Sequence, residues 1–268
     1  YGAVASKIRG MRSRLFTKEE YTRLASSGDV KELAAYLKTL PSYSEALKEL
    51  DPENMRRERF ERLLVNSVLS DIKKISYFLD RPRKEFLATY VTYFELRFIS
   101  NVVRGIFNKY MEPVDLAVYE AMFGESKNFN FRKVFAAKTI DELIVALAGS
   151  KYQEPLVQTE RMLDNPQLFD YETAINRFYF SNFWKELNRL DNSFDKEVLL
   201  EVHGTEIDLL NINWIYRTKA YYDVPSQDIT RYLIPAGHKI RPRQMAAMIS
   251  APNVQSMLKE AAGTYYKK

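Results

Sequence analysis

Residues 84–110 read KEFLATYVTYFELRFISNVVRGIFNKY. Apolar residues occupy most sides of this stretch over a length that suits a helix and not a strand, so it predicts a buried helix from Lys84 to about Tyr110. The apolar run Phe86–Phe107 is interrupted by Glu95, Arg97 and Arg104. A bilayer span needs about 20 predominantly apolar residues, so the run reads as the inner helix of a bundle. Upstream, Asp51-Pro52-Glu53 joins an Asp cap to a Pro at the first helical position. A second long helix follows to about Leu79, with Phe60, Leu63, Leu64, Leu69, Ile72, Ile75 and Phe78 at helical spacing, and Arg81-Pro82-Arg83 breaks the chain before the next.

The same reading extends in both directions. Residues 2–14 predict a short helix whose basic face carries Lys7, Arg9, Arg12 and Arg14. Thr17-Lys18-Glu19-Glu20 is a capping box that opens a helix over Lys18–Ala25, and Asp29 caps another over Val30–Thr39, ended by Pro41. Thr139 caps a helix running to Ala148, Pro155 and Asn165-Pro166 punctuate the next segment, and residues 168–191 form a long aromatic-rich helix. Asp195–Val202 and Glu206–Tyr221 are expected as two helices. Three short ones follow, over Ile229–Leu233, Arg243–Ile249 and Val254–Ala262. No alternating run exceeds four residues and no Asn-Gly or Asp-Gly turn occurs, so the fold class is all-α.

The chain also resembles itself. Arg104, Tyr119 and Gly124 recur 113 residues later as Arg217, Tyr232 and Gly237. Ala148-Gly149-Ser150-Lys151-Tyr152 returns as Ala262-Gly263-Thr264-Tyr265-Tyr266. A weaker, shortened first copy aligns Leu24–Val30 with Val134–Ile140 and Met248–Val254. A period this long exceeds the 20–50 residues of a solenoid unit. Three small pseudo-threefold-related helical bundles are expected instead, over residues 1–90, 91–200 and 201–268.

The composition is that of an ordinary globular chain: 268 residues, 46% hydrophobic, 28% charged, net charge +5. Cysteine is absent, which removes disulfides, thiol catalysis and thiolate metal sites and fits a reducing cytoplasm. Two histidines, His203 and His238, leave no multi-histidine metal site. No phosphate-binding glycine loop and no nucleophile elbow occurs, so no catalytic residue, cofactor or metal is expected. Forty basic and thirty-five acidic residues are well mixed, which does not favour nucleic acid. The chain opens on Tyr1 without a Met and stops soon after the third closing Tyr, so further residues are expected beyond both ends.

The candidate contact residues are cationic. Arg12, Arg104 and Arg217 occupy equivalent places in the three copies. They either line one shared surface that meets a partner or pair with carboxylates inside their own bundles, because an Arg embedded in an apolar helix needs a partner. Lys239, Arg241 and Arg243, in His238–Arg243, form a basic loop suited to acidic partner residues, to lipid headgroups, or to solvent.

The stretches Tyr1–Leu15, Thr17–Tyr21, Asp29–Tyr43, Asp208–Tyr222 and Tyr232–Gly237 resemble the C subunit of V/A-type ATPases, whose eukaryotic counterpart is the V-ATPase d subunit. The resemblance covers the whole chain. It implies a funnel-shaped, non-catalytic, monomeric connector, one copy per complex, peripheral to the membrane on its cytoplasmic face. Its implied partners are the D and F subunits of the central stalk and the membrane rotor ring, with rotation passing between ATP turnover and ion movement.

Overall fold

The structure is a computed structural model and describes residues 2–48, 50–51, 57–111, 116, 120, 128–190, 194–222 and 224–266. Among the described residues every regular element is helical. The chain divides into two compact units, one including Tyr1–Leu87 and the other Ala88–Met111 with Asn128–Lys268.

The first unit holds α1 (Gly2–Arg12), α2 (Lys18–Ala25), α3 (Val30–Thr39) and α4 (Arg57–Ser76). Its caps are those the sequence specifies. Thr17 Oγ1 accepts from the Glu20 amide at 3.2 Å while Glu20 Oε2 accepts from the Thr17 amide at 2.7 Å. Asp29 Oδ1 accepts from the Glu32 amide at 2.8 Å. The core gathers Ala34, Leu37, Leu47, Leu50 and Phe60, with Phe16, Leu24, Leu33 and Tyr43 packed against them. The Asp51-Pro52-Glu53 start falls largely outside the described residues, as do Tyr119 and Gly124 of the repeat.

Helix α5 (Arg81–Asn108) begins in the first unit and continues into the second. Arg81-Pro82-Arg83 forms its first turn and lies inside the helix, because proline is tolerated where the amide has no intrahelical acceptor. Asp80 Oδ1 accepts from the Arg83 amide at 3.1 Å. At the far end Lys109 takes φ 52°, and the Tyr110 amide reaches back to Gly105 O at 3.1 Å while the Lys109 amide reaches Ile106 O at 3.3 Å. This is the paired-bond helix stop usually made with glycine.

The second unit continues with α6 (Phe131–Ala136), α7 (Ile140–Ala146), α8 (Gln153–Met162), α9 (Leu168–Arg189), α10 (Phe194–Ala220), α11 (Ser226–Ile229), α12 (Pro242–Ser250) and α13 (Val254–Ala262). Phe98, Ile99, Val102 and Val103 of α5 are almost fully buried. Phe98 meets Phe131 of α6 edge-on at 5.0 Å. α8 packs on α9 and α12 on α13. Two expectations change here. Gln153–Met162 is a helix with Pro155 in its first turn. Asp195–Val202 and Glu206–Tyr221 are one continuous helix, α10, running through Gly204.

Gly204 does not break α10 because the space beside it is occupied. A Cβ added there would lie 2.5 Å from His238 Cβ, an atom fixed to the backbone of the neighbouring loop. Glycine in a helix costs about 1 kcal/mol relative to alanine, and here that cost admits the 237–240 loop against the helix. Gly204→Ala is therefore expected to destabilise the chain by about 1–3 kcal/mol despite its better helix propensity. Gly10→Ala in α1, where nothing lies within 4 Å, should gain about 0.5–1 kcal/mol. Urea titrations of the two variants check both signs.

Candidate functional site

The second and third copies share one buried polar device. Helix α5 carries Thr92 and Glu95, and α10 carries Thr205 and Asp208, each pair 113 residues from the other. Glu95 is 1% exposed and Asp208 is 0% exposed. The Tyr152 hydroxyl donates to Glu95 Oε2, and the Tyr266 hydroxyl donates to Asp208 Oδ2 at 2.9 Å. Thr92 and Thr205 lie beside the same two phenols. In both copies the tyrosine that follows the last short helix thus closes onto a Thr-x-x-acid step of the long helix.

The remaining donors differ between the copies. Asn128 Nδ2 reaches both Glu95 oxygens at 3.2 Å, and Lys151 Nζ donates to Thr92 Oγ1 at 3.1 Å. Burial lowers the Lys151 pKa, and the Glu95 charge opposes that shift. Asp208 instead collects main-chain amides: His238 at 3.0 Å on Oδ1, and Lys239 at 2.6 Å and Ile240 at 3.1 Å on Oδ2. One turn along, Asn211 accepts from the Ile234 amide at 2.9 Å and donates to Ile234 O at 3.1 Å. Two buried side chains of α10 thereby fix the whole 234–240 loop. The sequence contained a signal for this, since Thr92-x-x-Glu95 and Thr205-x-x-Asp208 share the offset of Arg104 and Arg217.

The short helices repeat as well. Asp29, Thr139 and Asn253 stand at aligned positions of the three copies. Each caps its helix by accepting from the amide three residues on, at 2.8, 3.2 and 2.9 Å. The Gly28 amide donates to Glu32 Oε2 at 2.8 Å, and the Lys138 amide to Glu142 Oε2 at 2.7 Å.

Equivalent residues of the second and third copies also converge. Tyr90 and His203 are 113 apart and meet directly, Tyr90 Oη to His203 Nε2 at 2.7 Å, with Phe183 against both rings. His203 Nδ1 lies 3.1 Å from Glu206 Oε2. Arg104 and Arg217 both dock near the N-terminal end of α9, on Glu172 and Phe169. Arg104 Nε donates to Glu172 Oε1, and its Nη1 to Asn101 Oδ1 at 3.4 Å. The Arg217 guanidinium lies over Phe169 at 5.2 Å and donates to the Tyr222 hydroxyl at 3.2 Å, with Tyr222 stacked on Phe169 at 3.9 Å. No described carboxylate pairs with Arg217.

The other sequence-derived candidates sit apart from that end of α9. Lys239 pairs with Glu201 at 2.9 Å and lies over the Tyr265 ring at 5.2 Å. His238 Nε2 meets the same Glu201 at 2.9 Å, and these two bonds hold the Glu201 carboxyl below its ordinary pKa. Arg12, Arg241 and Arg243 are exposed, and no described carboxylate pairs with them. A cleft of about 340 Å³ beside α8 and α9 is lined by both signs, Arg177 and Arg231 with Glu154 and Asp170. Among the described residues no cluster of His, Asp or Glu could hold a metal ion, and no helix is long and apolar enough to cross a membrane.

The family model of the ATP synthase (C/AC39) subunit matches residues 4–268. The chain belongs to the ATP synthase (C/AC39) subunit family. It is 27% identical over 267 residues to the A-type ATP synthase C subunit of Pyrococcus abyssi, covering 99% of the chain and 68% of the relative. The corresponding protein of Methanobrevibacter smithii is 22% identical over 274 residues, covering 99% and 66%. That of Methanocaldococcus jannaschii is 21% identical over 268 residues, again with 99% and 66% covered. The chain therefore spans about two thirds of the length of these relatives. The AC39 family is that of a non-catalytic component of a rotary ATPase.

A buried acid that loses its phenol keeps the desolvation cost without the bond. Tyr152→Phe is expected to cost about 1–3 kcal/mol and the partly exposed Tyr266→Phe less, while Asp208→Ala strands three amides and costs at least about 3 kcal/mol. Chemical denaturation of the three variants ranks them. Burial, reinforced by the acids, raises the Tyr152 and Tyr171 pKa values well above 10, and pushes Tyr232 and Tyr266 to about 12. Unfolded tyrosines ionise near pH 10, before these do. The stability they contribute is complete below that pH and is lost as pH rises toward and through the folded values. Melts from neutrality upward, with tyrosinate absorbance followed in parallel, should show stability falling from about pH 10.

Proposed function

We propose that this chain is the central-stalk connector of a rotary ATPase, coupling the soluble D–F shaft to the membrane rotor ring. Membership of a family of rotary ATP synthase subunits carries the reading. In this role the protein acts as one copy per complex, on the cytoplasmic face of the membrane. It passes torque between ATP turnover in the head and ion movement through the ring. The funnel of three bundles, over residues 1–90, 91–200 and 201–268, belongs to the same proposal.

Physical features support it. A ring of identical subunits and an asymmetric helical shaft have mismatched symmetries, and a repeated but non-identical body can offer each a different face. Torque transmission favours close-packed helices tied by buried hydrogen bonds over flexible loops. The loop at 234–240 is fixed to α10 by Asp208 and Asn211. The shaft-facing candidates are Arg104, which holds Glu172 of α9, and Arg217, which lies over Phe169 of the same helix and bonds exposed Tyr222. Arginine and tyrosine are the residue types that most often anchor protein interfaces. Arg12, Lys239, Arg241 and Arg243 complete the cationic set.

Size-exclusion chromatography with light scattering tests this, using the chain and a D–F heterodimer from the same source at moderate salt. A one-to-one-to-one complex is expected. Arg217→Glu should weaken it about tenfold or more, because a hot-spot loss exceeds about 2 kcal/mol. A folded chain that forms no complex would leave a helical adaptor for some other partner.

A further inference from the structure

The turn between α4 and α5 presents an unusual surface. Tyr77 is 80% exposed and Phe78 43%, so two adjacent aromatics stand together at one turn. Their two rings meet edge to face at 5.4 Å. The Phe78 and Leu79 amides bond back to Ile75 and Ser76, so the turn is a fixed extension of α4. Cations flank it on both helices: Lys73 and Lys74 below, Arg81, Arg83 and Lys84 above. With Asp71, Asp80 and Glu85 counted, residues 71–85 hold five positive and three negative side chains, a net charge of +2. The ion pairs Lys74–Asp71 and Arg81–Glu85 are well exposed, with Arg81 at 90% side-chain exposure, so solvent screens them and they yield readily to another anion, whereas Arg83 is more covered and holds Asp80.

We propose that this aromatic tip is a membrane-interface anchor that docks on an anionic lipid surface. The tip projects two rings from a turn, which suits a deformable surface better than a fitted pocket. Aromatic rings settle at the headgroup level of a bilayer, and lysine and arginine beside them reach the phosphates. Tyr77 and Phe78 supply the rings, and Lys73, Lys74, Arg81, Arg83 and Lys84 supply the collar. The anchor goes beyond the connector reading, since it concerns lipid and neither the shaft nor the ring.

Vesicle co-sedimentation of the chain tests it, with vesicles of phosphatidylcholine alone and of phosphatidylcholine mixed with phosphatidylglycerol. Binding is expected to the mixed vesicles and to fall with added salt. Lys74→Ala and Lys84→Ala should each weaken it about fivefold, the effect of removing one charge near the surface. Tyr77→Ser with Phe78→Ser should reduce it further, and Tyr77→Ser alone should reduce it without changing thermal stability, because Tyr77 is 80% exposed. A Tyr77→Trp variant should show a blue-shifted emission on the mixed vesicles. Binding that is equal on both vesicle types, or unchanged in the Tyr77/Phe78 variant, would overturn the proposal. So would capture of the tip by a detergent-solubilised rotor ring with no binding to lipid. Formation of the D–F complex, measured on the same variants, is expected to be unaffected, which keeps failure of the anchor separate from failure of the connector reading.

Discussion

A carboxyl group removed from water must be met by donors, and in this chain that requirement arises twice at equivalent positions. Glu95 and Asp208 are buried on two long helices, α5 and α10. An isolated polar group so placed costs several kcal/mol, so the chain around each acid is arranged to supply hydrogen bonds. The need brings a closing tyrosine back onto each helix. At Asp208 it also brings three successive amides of the 238–240 loop. The loop lies that close only because residue 204 has no side chain. Acid, loop, glycine and final tyrosine are thus one dependency, and the short helices between them are placed by it.

The helices were legible wherever a local rule sufficed. Thr17, Asp29 and Thr139 announce their caps by sequence alone, and α2, α3 and α13 have the limits that pattern assigns them. Where the outcome depended on a distant residue, local reading misplaced the boundary. Gly204 looks like a helix stop until His238 is seen packed against it. Pro155 looks like punctuation until its place in a first turn is known. Glu95 reads as an interruption of an apolar run, and its role appears only with Tyr152 closing onto it. At the candidate site the sequence supplied the equivalence of Arg104 and Arg217. It could not supply their shared docking near the N-terminal end of α9, or that one arginine holds Glu172 while the other lies on an aromatic ring.

The buried acids and tyrosines tie the frame together. What they provide is a body whose loops are bound to its helices from inside, where water does not compete for the bonds. The exposed cations proposed for partner contacts lie outside this device, except that Lys239 also gives its main-chain amide to Asp208.

The contact between Tyr90 and His203 has an evolutionary consequence. Two identical copies of an ancestral unit, meeting at such a position, would place like against like: two phenols or two imidazoles. The present chain has one of each, and their hydrogen bond joins a phenol at one position to an imidazole at the other. The two copies are therefore not interchangeable at this contact: copying either onto the other would replace the mixed pair by a like pair.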